Sequence, residues 1–348
     1  MSNTSIDIPV EKFERSTLSD HDMDALMDLY ESFTHEEDPD YIPAPREQRS
    51  KSMRNPPPHS THRYWMIRKD DGIIALADLS YLNDKHPAYE ENKHLAFLDV
   101  LVHKDYRRQG LARALLHHVV GELQHLDRKT VVVDTSHEIG KLVGKHFGGK
   151  VALEGAENRL YLEDVDWEMI QAWRDEGPKR APGVTLQEFT SVPDDIAEEY
   201  LHVYTETMMQ QPLGELDIEI KETPESRKIQ EQRVADLDLT WSTLISREAD
   251  GAISGLTEML YNPHTPHKVI QNLTGVKQEY RGKGLGKWLK AELLYRFHER
   301  YPELVYITTG NADSNAPMLS INRRMGFKTF KEDITFNFDT QHLLDLFC

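Results

Sequence analysis

The stretch best equipped for chemistry is residues 269–294, VIQNLTGVKQEYRGKGLGKWLKAELL. Within it, Arg281-Gly282-Lys283-Gly284-Leu285-Gly286 places three glycines in five residues. Such a backbone can adopt conformations closed to other residues, and a ligand can approach it without meeting a Cβ. A helix starting here leaves its first N–H groups without intrahelical partners, and its dipole favours an anion. Between Lys277 and Lys290, five cations (Lys277, Arg281, Lys283, Lys287, Lys290) against Glu279 give a balance of +4 in a chain of net charge −18. The chemistry indicated is binding of a phosphate-bearing ligand. Two familiar phosphate loops do not fit. The first glycine of a P-loop would fall at Arg281, and Trp288 stands where its Ser or Thr is required. The third glycine of the dinucleotide fingerprint would fall at Lys287.

The elements that must position this loop are a strand and a helix. Val269, Ile270, Leu273 and Val276 read as a buried strand, and Leu285, Trp288, Leu289, Leu293 and Leu294 recur at helical spacing. Residues 94–116, HLAFLDVLVHKDYRRQGLARALL, repeat the design, with a strand ending at Val102, then Arg107-Arg108-Gln109-Gly110-Leu111-Ala112, then a helix. Val102 to Arg107 is five residues, as is Val276 to Arg281. Upstream, Asp71-Gly72 before IIALAD mirrors Asp250-Gly251 before AISGLTE, each marking a hairpin turn.

In the first copy, VEKFERST is expected as a strand, and DHDMDALMDLYESFTHEE, residues 20–37, as a helix with Asp20 as N-cap. The proline-rich 41–60 reads as a loop, followed by strands at RYWMIRK, GIIALADLSY and TVVVD. EIGKLVGKHFGG reads as a short helix, and KVALEG with NRLYLEDV as a closing hairpin. The helix DWEMIQAWRDEG then meets Gly177-Pro178-Lys179-Arg180-Ala181-Pro182-Gly183, where four Gly or Pro in seven residues mark the expected boundary. The second copy opens with VTLQEFTS as a strand and DDIAEEYLHVYTETMMQ as a helix; residues 212–237 then end in a helix where the first copy has its proline-rich loop.

At 348 residues the chain has room for two cores. With 41 Lys+Arg against 59 Asp+Glu, general nucleic-acid binding is not expected, and a cationic small substrate is favoured. The single cysteine, Cys348, leaves no internal disulfide and no cysteine metal site; scattered histidine pairs such as His264 and His267 lack further ligands, so no metal is expected. MSNTSIDIPV lacks the features of a signal peptide, and no apolar run is long enough to span a bilayer, so a cytoplasmic protein without membrane partners is expected.

The Arg-x-x-Gly-x-Gly loop after a strand ending in valine, repeated in the first copy as Arg-x-x-Gly-x-Ala, resembles the acetyl-CoA loop of the GNAT superfamily of N-acetyltransferases. The likeness covers residues 10–165 and 184–338. LTEMLYN, QNLTGVKQEYRGKGLGKWLK and TTGNADSNAPMLSINRRMGF resemble a tandem-GNAT group that includes mycothiol synthase-like proteins. The resemblance implies an α/β fold of two tandem GNAT-like domains, each a mixed central β-sheet flanked by helices. Residues 1–176 would form an N-terminal domain degenerate in catalysis, and 184–348 a catalytic C-terminal one. It implies acetyl-CoA as co-substrate and a small primary amine as acceptor, joined by direct attack in a ternary complex. A non-catalytic acyl-CoA-binding or regulatory module is the alternative. A monomer is compatible with two domains that can pack on each other.

By the same resemblance, the backbone of Gly282, Lys283, Gly284, Leu285, Gly286 and Lys287 would hold the CoA pyrophosphate, with Lys277 and Arg281 adding charge. Val102, Arg107, Arg108, Gln109, Gly110, Leu111 and Ala112 are the first-copy counterparts. A backbone N–H at Val276 would face the oxyanion. An acceptor with a pKa of ~10 must lose a proton before attacking. Glu258 is the candidate base and Asp78 its counterpart, with a salt-bridged strand carboxylate an open reading for both; Gln271 cannot act as a base. Asn311 and Asn315 could bond the pantetheine arm or order the following helix, Asn315 as N-cap. Many GNAT enzymes carry a tyrosine where this chain has Asn322; an amide is no general acid, so the acid is unassigned. The first copy has His137 and Gly144 at the positions of Asn315 and Asn322.

Overall fold

The computed structural model describes residues 9–347. The chain forms two compact units, Met1–Ala152 with Ile334–Cys348, and Leu153–Asp333. In the first, β1 (Glu11–Phe13), β2 (Ser60–Lys69), β3 (Gly72–Leu82) and β4 (Leu95–Val102) are successive antiparallel neighbours. β4 runs parallel to β5 (Thr130–Thr135), a pairing that needs a crossover, supplied here by α4 (Leu111–Leu123). α1 (Asp20–Glu37) buries Met23, Leu26, Met27 and Leu29, while Leu115, Val119 and Val120 of α4 join the apolar core with Trp65 and Ala75. Short helices α2 (Arg46–Arg54) and α3 (Tyr89–Asn92) occupy connections, and α5 (Glu138–His146) follows β5.

The second unit repeats the plan. It begins within β6 (Lys150–Tyr161) and continues through α6 (Trp167–Arg180), β7 (Thr185–Phe189), α7 (Ala197–Met209), α8 (Pro224–Asp236), β8 (Thr240–Arg247) and β9 (Ile253–Tyr261). Then come β10 (Lys268–Val276), α9 (Leu285–Arg300), β11 (Tyr306–Ala312) and α10 (Ala316–Met325). β7, β8, β9 and β10 are antiparallel neighbours, β10 is parallel to β11, and β11 is antiparallel to β6. Its core gathers Leu160, Leu289, Leu293, Phe297, Ile307 and Phe327.

The sixth strands are exchanged. β6 follows α5 in the chain yet pairs with β11, through Tyr306↔Tyr161 to Ala312↔Gly155. β12 (Lys328–Asp339) follows α10 yet its end pairs with β5, through Ile334↔Thr135 to Asp339↔Thr130. Phe336 and Phe338 thereby enter the first core, and α11 (Thr340–Phe347) packs there with Leu343 and Phe347.

Four local expectations are corrected. The hydroxyl of Ser19, not Asp20, caps α1, accepting the Asp22 N–H at 3.1 Å. The 41–60 loop contains α2, whose Arg46 and Arg49 bond Asp28 and Glu31 of α1. The hairpin expected at KVALEG and NRLYLEDV is one continuous strand, β6. Finally, the glycine–proline segment is no boundary. α6 runs through Pro178 to Arg180, and a Cβ at Gly177 would lie 2.2 Å from the Trp288 ring. Gly177 serves close helix packing, and the units divide instead within β6 and β12.

Candidate functional site

The loop after β10 is built as its glycines suggest. Gly282 and Gly284 take φ values of +86° and +84°, and Gly284 opens α9 with no side-chain cap, so the first N–H groups of the helix stay available. A Cβ added at Gly282 would meet nothing within 4 Å, and one at Gly286 would meet only Ile321 and Val276 at ordinary contact distance. Protein packing does not demand these glycines; they leave an open cradle. Arg281 shapes it, its Nε donating to the Val276 carbonyl at 3.2 Å and its guanidinium bonding Gln210. Lys277 pairs with Glu279 at 2.8 Å and Lys283 with Glu248 at 3.3 Å, while Lys287 lies 5.4 Å from the Trp173 ring. Leu285 is buried beneath.

Two irregularities open the sheet beside the loop. β10 pairs with β11 only from Lys268↔Tyr306 to Ile270↔Thr308, so the rest of β10 has no partner on that side. Against β9 its register shifts between Gln271 and Thr274, setting Asn272 and Leu273 opposite the single residue Glu258. A cavity of about 440 Å³ lies there. Residues 270–274, Thr309, Gly310, Asn311, Asn315 and Met318 bound it on one side, and Tyr204, Met208, Gln211 and Trp241 on the other. A Cβ at Gly310 would again meet nothing within 4 Å. The Lys277 N–H goes to Ser254 of β9, so by alternation the Val276 N–H faces the open side. Val276 itself is outside the cavity wall, which the bulged residues form instead.

Glu258 is fully buried and absent from that wall. Its Oε1 accepts from Arg227 at 2.9 Å, from Thr243 at 3.1 Å and from the Tyr200 hydroxyl, while its Oε2 is buried without a partner. Burial, with the Glu258 charge, drives the Tyr200 pKa well above its ordinary value. The Arg227 guanidinium stacks 3.8 Å from the Trp241 ring, so this ion pair underlies one wall of the cavity. Gln271 donates to the Glu258 carbonyl at 2.7 Å. Asn315 is the N-cap of α10, accepting from the Met318 N–H at 3.4 Å, and it also bounds the cavity. Asn322 is buried and donates to Asn311 Oδ1 at 2.7 Å, orienting a wall residue without reaching the wall. The bulge, Trp241, Tyr204 and buried Lys290 were not legible as site residues; only comparison of the copies position by position would have singled out Lys290.

The first unit holds the same loop differently. Gly110 keeps the left-handed turn at φ +87°, and Arg107 Nε donates to the Val102 carbonyl at 3.0 Å, but Arg108 takes φ +62° where the second unit has Gly282. Ala112 replaces Gly286, and Gln109 bonds the Asp105 carbonyl at 3.4 Å. Leu111 is buried as Leu285 is. Arg107 is clamped by Glu36 at 2.6 and 2.7 Å, Glu36 lies 3.4 Å from His137, and Glu37 accepts from Ser136 at 2.8 Å. The end of α1 therefore ties the loop to the segment before α5. β3 and β4 pair without a bulge, which sets Asp78 opposite Asp99. Burial, with Asp78 adding to it, pushes the Asp99 carboxyl up to about 6. Asp78 is held by His62 at 3.0 Å and Arg15 at 3.5 Å. Gly144 abuts Phe336, which a Cβ would approach to 2.6 Å.

Strand splay, glycine loop and helix N-terminus together leave an open, anion-ready cradle beside the cavity, and comparison with known proteins shows what the chain resembles. Residues 23–138 match the Acetyltransferase (GNAT) family model. Mycothiol acetyltransferase of Saccharomonospora viridis is 25% identical over 244 residues, 68% of this chain and 72% of that protein. A tandem GNAT protein from the clavulanic acid biosynthesis pathway has the same fold, with a TM-score of 0.76 at 22% identity over 95% of this chain and 99% of that one. A GCN5-related N-acetyltransferase from Sphaerobacter thermophilus gives 0.65 at 18% identity, over 96% and 97%. Part of the first unit thus matches the GNAT family model, and the chain as a whole shares the fold of a tandem GNAT protein. No helix among the described residues is long and apolar enough to cross a membrane.

Proposed function

We propose that the second unit is the catalytic one, binding acetyl-CoA at the β10–β11 splay and transferring acetyl to the primary amine of a small acceptor by direct attack in a ternary complex. The observation that carries this reading is the coincidence, in one unit, of an open glycine cradle, parted strands and a cavity of about 440 Å³. Bound there, acetyl-CoA supplies an activated acyl group. The N–H groups from Gly282 to Lys287 hold its pyrophosphate, with Arg281 fixing the loop and Lys277, Lys283 and Lys287 adding charge. Asn311 and Asn315 line the pantetheine path, and main-chain N–H groups of Leu273, Thr274 and Val276 are the donors nearest the developing negative charge. Holding thioester and amine together provides much of the acceleration. The one cysteine, Cys348, lies outside the described residues, and none lines the cavity, in keeping with direct transfer.

Glu258 acts in this reading as a positioning residue, anchoring Arg227 under Trp241, and the acceptor ammonium loses its first proton to water before attack. The acceptor wall of Tyr204, Met208 and Trp241 carries no carboxylate, which favours a monoamine with an apolar body over a polycation. The first unit, its loop clamped by Glu36, serves as scaffold. The test is release of free thiol and a mass increase of one acetyl group across a panel of apolar monoamines and polyamines, with the full chain. Tight CoA binding without turnover on any amine would replace this reading with a non-catalytic acyl-CoA-binding module. Absence of CoA binding would sink both.

A further inference from the structure

Lys290 sits on α9 one turn beyond Gly286, is 1% exposed, and bounds the cavity. No hydrogen bond or ion pair offsets its burial among the described residues; the Phe327 ring lies 5.3 Å from its Nζ. The internal repeat supplies a control. The same helix position in the first unit, nine residues after the loop arginine as Lys290 is, holds Leu116, packed in an apolar core. The scaffold is thus satisfied by a hydrocarbon here, and the second unit retains an amine against a desolvation penalty. An unpaired amine kept at a cavity wall against its own burial cost points to work done in that cavity.

Its surroundings narrow what that work is. Of the side chains bounding the cavity only Tyr204 and Lys290 titrate, and burial drives Tyr204 upward, away from neutrality. β10 presents Gln271, β11 presents Asn311, and the Glu258 carboxylate on β9 is bonded to Arg227 and lies outside the wall. Burial alone lowers the Lys290 ammonium to about 7. Transfer of its proton to a thiolate, whose conjugate thiol has a pKa of ~8.5, runs downhill.

We infer that Lys290 donates the proton taken up by the departing sulfur, an inference that rests on the acetyltransfer reading above. The acceptor, already neutral, forms the new C–N bond with its nitrogen lone pair. The C–S bond breaks with its electron pair on sulfur, the Lys290 ammonium passes a proton to that sulfur, and the surplus proton of the nitrogen goes to the Lys290 amine. The products are an amide and a thiol, and Lys290 ends as it began.

The test compares full-length wild type with Lys290→Leu, which copies the first unit, and Lys290→Arg, which keeps a charge that cannot be released. Both variants should lose roughly 10²-fold or more in kcat, with CoA affinity changed less than about threefold. The fall of wild-type kcat as pH rises above about 7, where the ammonium is lost, should vanish in both. Lys290→Cys alkylated with 2-bromoethylamine should regain activity, with wild type alkylated alongside to control for Cys348. Full kcat in Lys290→Leu, or restoration by Lys290→Arg, would overturn the assignment. Independently of turnover, the ¹³C-lysine resonance absent from Lys290→Leu should titrate near neutrality and move upward when CoA is bound, as a nearby thiolate favours the ammonium. An unmoved resonance would overturn this inference alone, whereas a wild type that acetylates no amine would overturn the acetyltransfer reading.

Discussion

Lys290 and Glu258 are both buried in the second unit, and the chain treats their charges in opposite ways. Glu258 receives three donors, while the Lys290 amine finds no acceptor among the described residues. Because burial lowers the folded-state pKa of Lys290 to about 7, the unfolded chain binds more protons between that value and ~10.4. Stability from this group therefore rises with pH through that window, by up to ~1.4 kcal/mol per unit, and its full penalty is present below it. Lys290→Leu should accordingly raise the urea midpoint near pH 7, with an advantage that shrinks toward pH 10; an advantage independent of pH would refute the buried-amine account. Glu258→Gln should do the reverse, leaving buried Arg227 with Glu231 as its one remaining carboxylate and lowering the urea midpoint. As Arg227 supports Trp241, the acceptor KM should rise more than kcat falls. A thousandfold loss in kcat with unchanged stability and KM would instead restore Glu258 as the base.

At the scale of elements, the two loops share a backbone path and differ in what stands on it. Arg108 holds a left-handed conformation that costs a non-glycine residue about 1–2 kcal/mol, where Gly282 adopts it freely. Gly282→Arg, copying the first unit, should weaken acetyl-CoA binding at least tenfold, measured calorimetrically, while Arg108→Gly should leave activity unchanged. Equal affinity in Gly282→Arg would mean that the cradle does not hold the ligand. The strand, loop and helix around residues 269–294 were legible because periodicity, glycine spacing and charge agree within one short segment. The bulge at Asn272 and Leu273 was not, because it is a mismatch of register with β9 and no residue type encodes it. Glu258 was visible as a strand carboxylate, but its partner Arg227 comes from a helix 31 positions away.

At the scale of the molecule, the exchange of β6 and β12 makes the two copies interdependent in the chain. A fragment ending at 176 lacks Phe336 and Phe338 from its core, and one starting at 184 lacks Leu160 and Leu162. Expressed separately, neither should unfold cooperatively, whereas the full chain should. Two fragments with sharp independent melting transitions would contradict this account. The family model matches residues 23–138, in the unit whose loop is clamped by Glu36, while the cavity lies in the other. The matched family model and the cavity therefore fall in different copies.

The sequence by itself determined the α/β class, the repeat and the anion-ready type of loop, since these rest on short-range spacing and on glycine's conformational range. Only the tertiary structure decided where the units divide, which carboxylate is locked in an ion pair, and that a lysine rather than a leucine borders the cavity. Those depend on which strand pairs with which and on what solvent is excluded, and both are set by residues far apart in the chain.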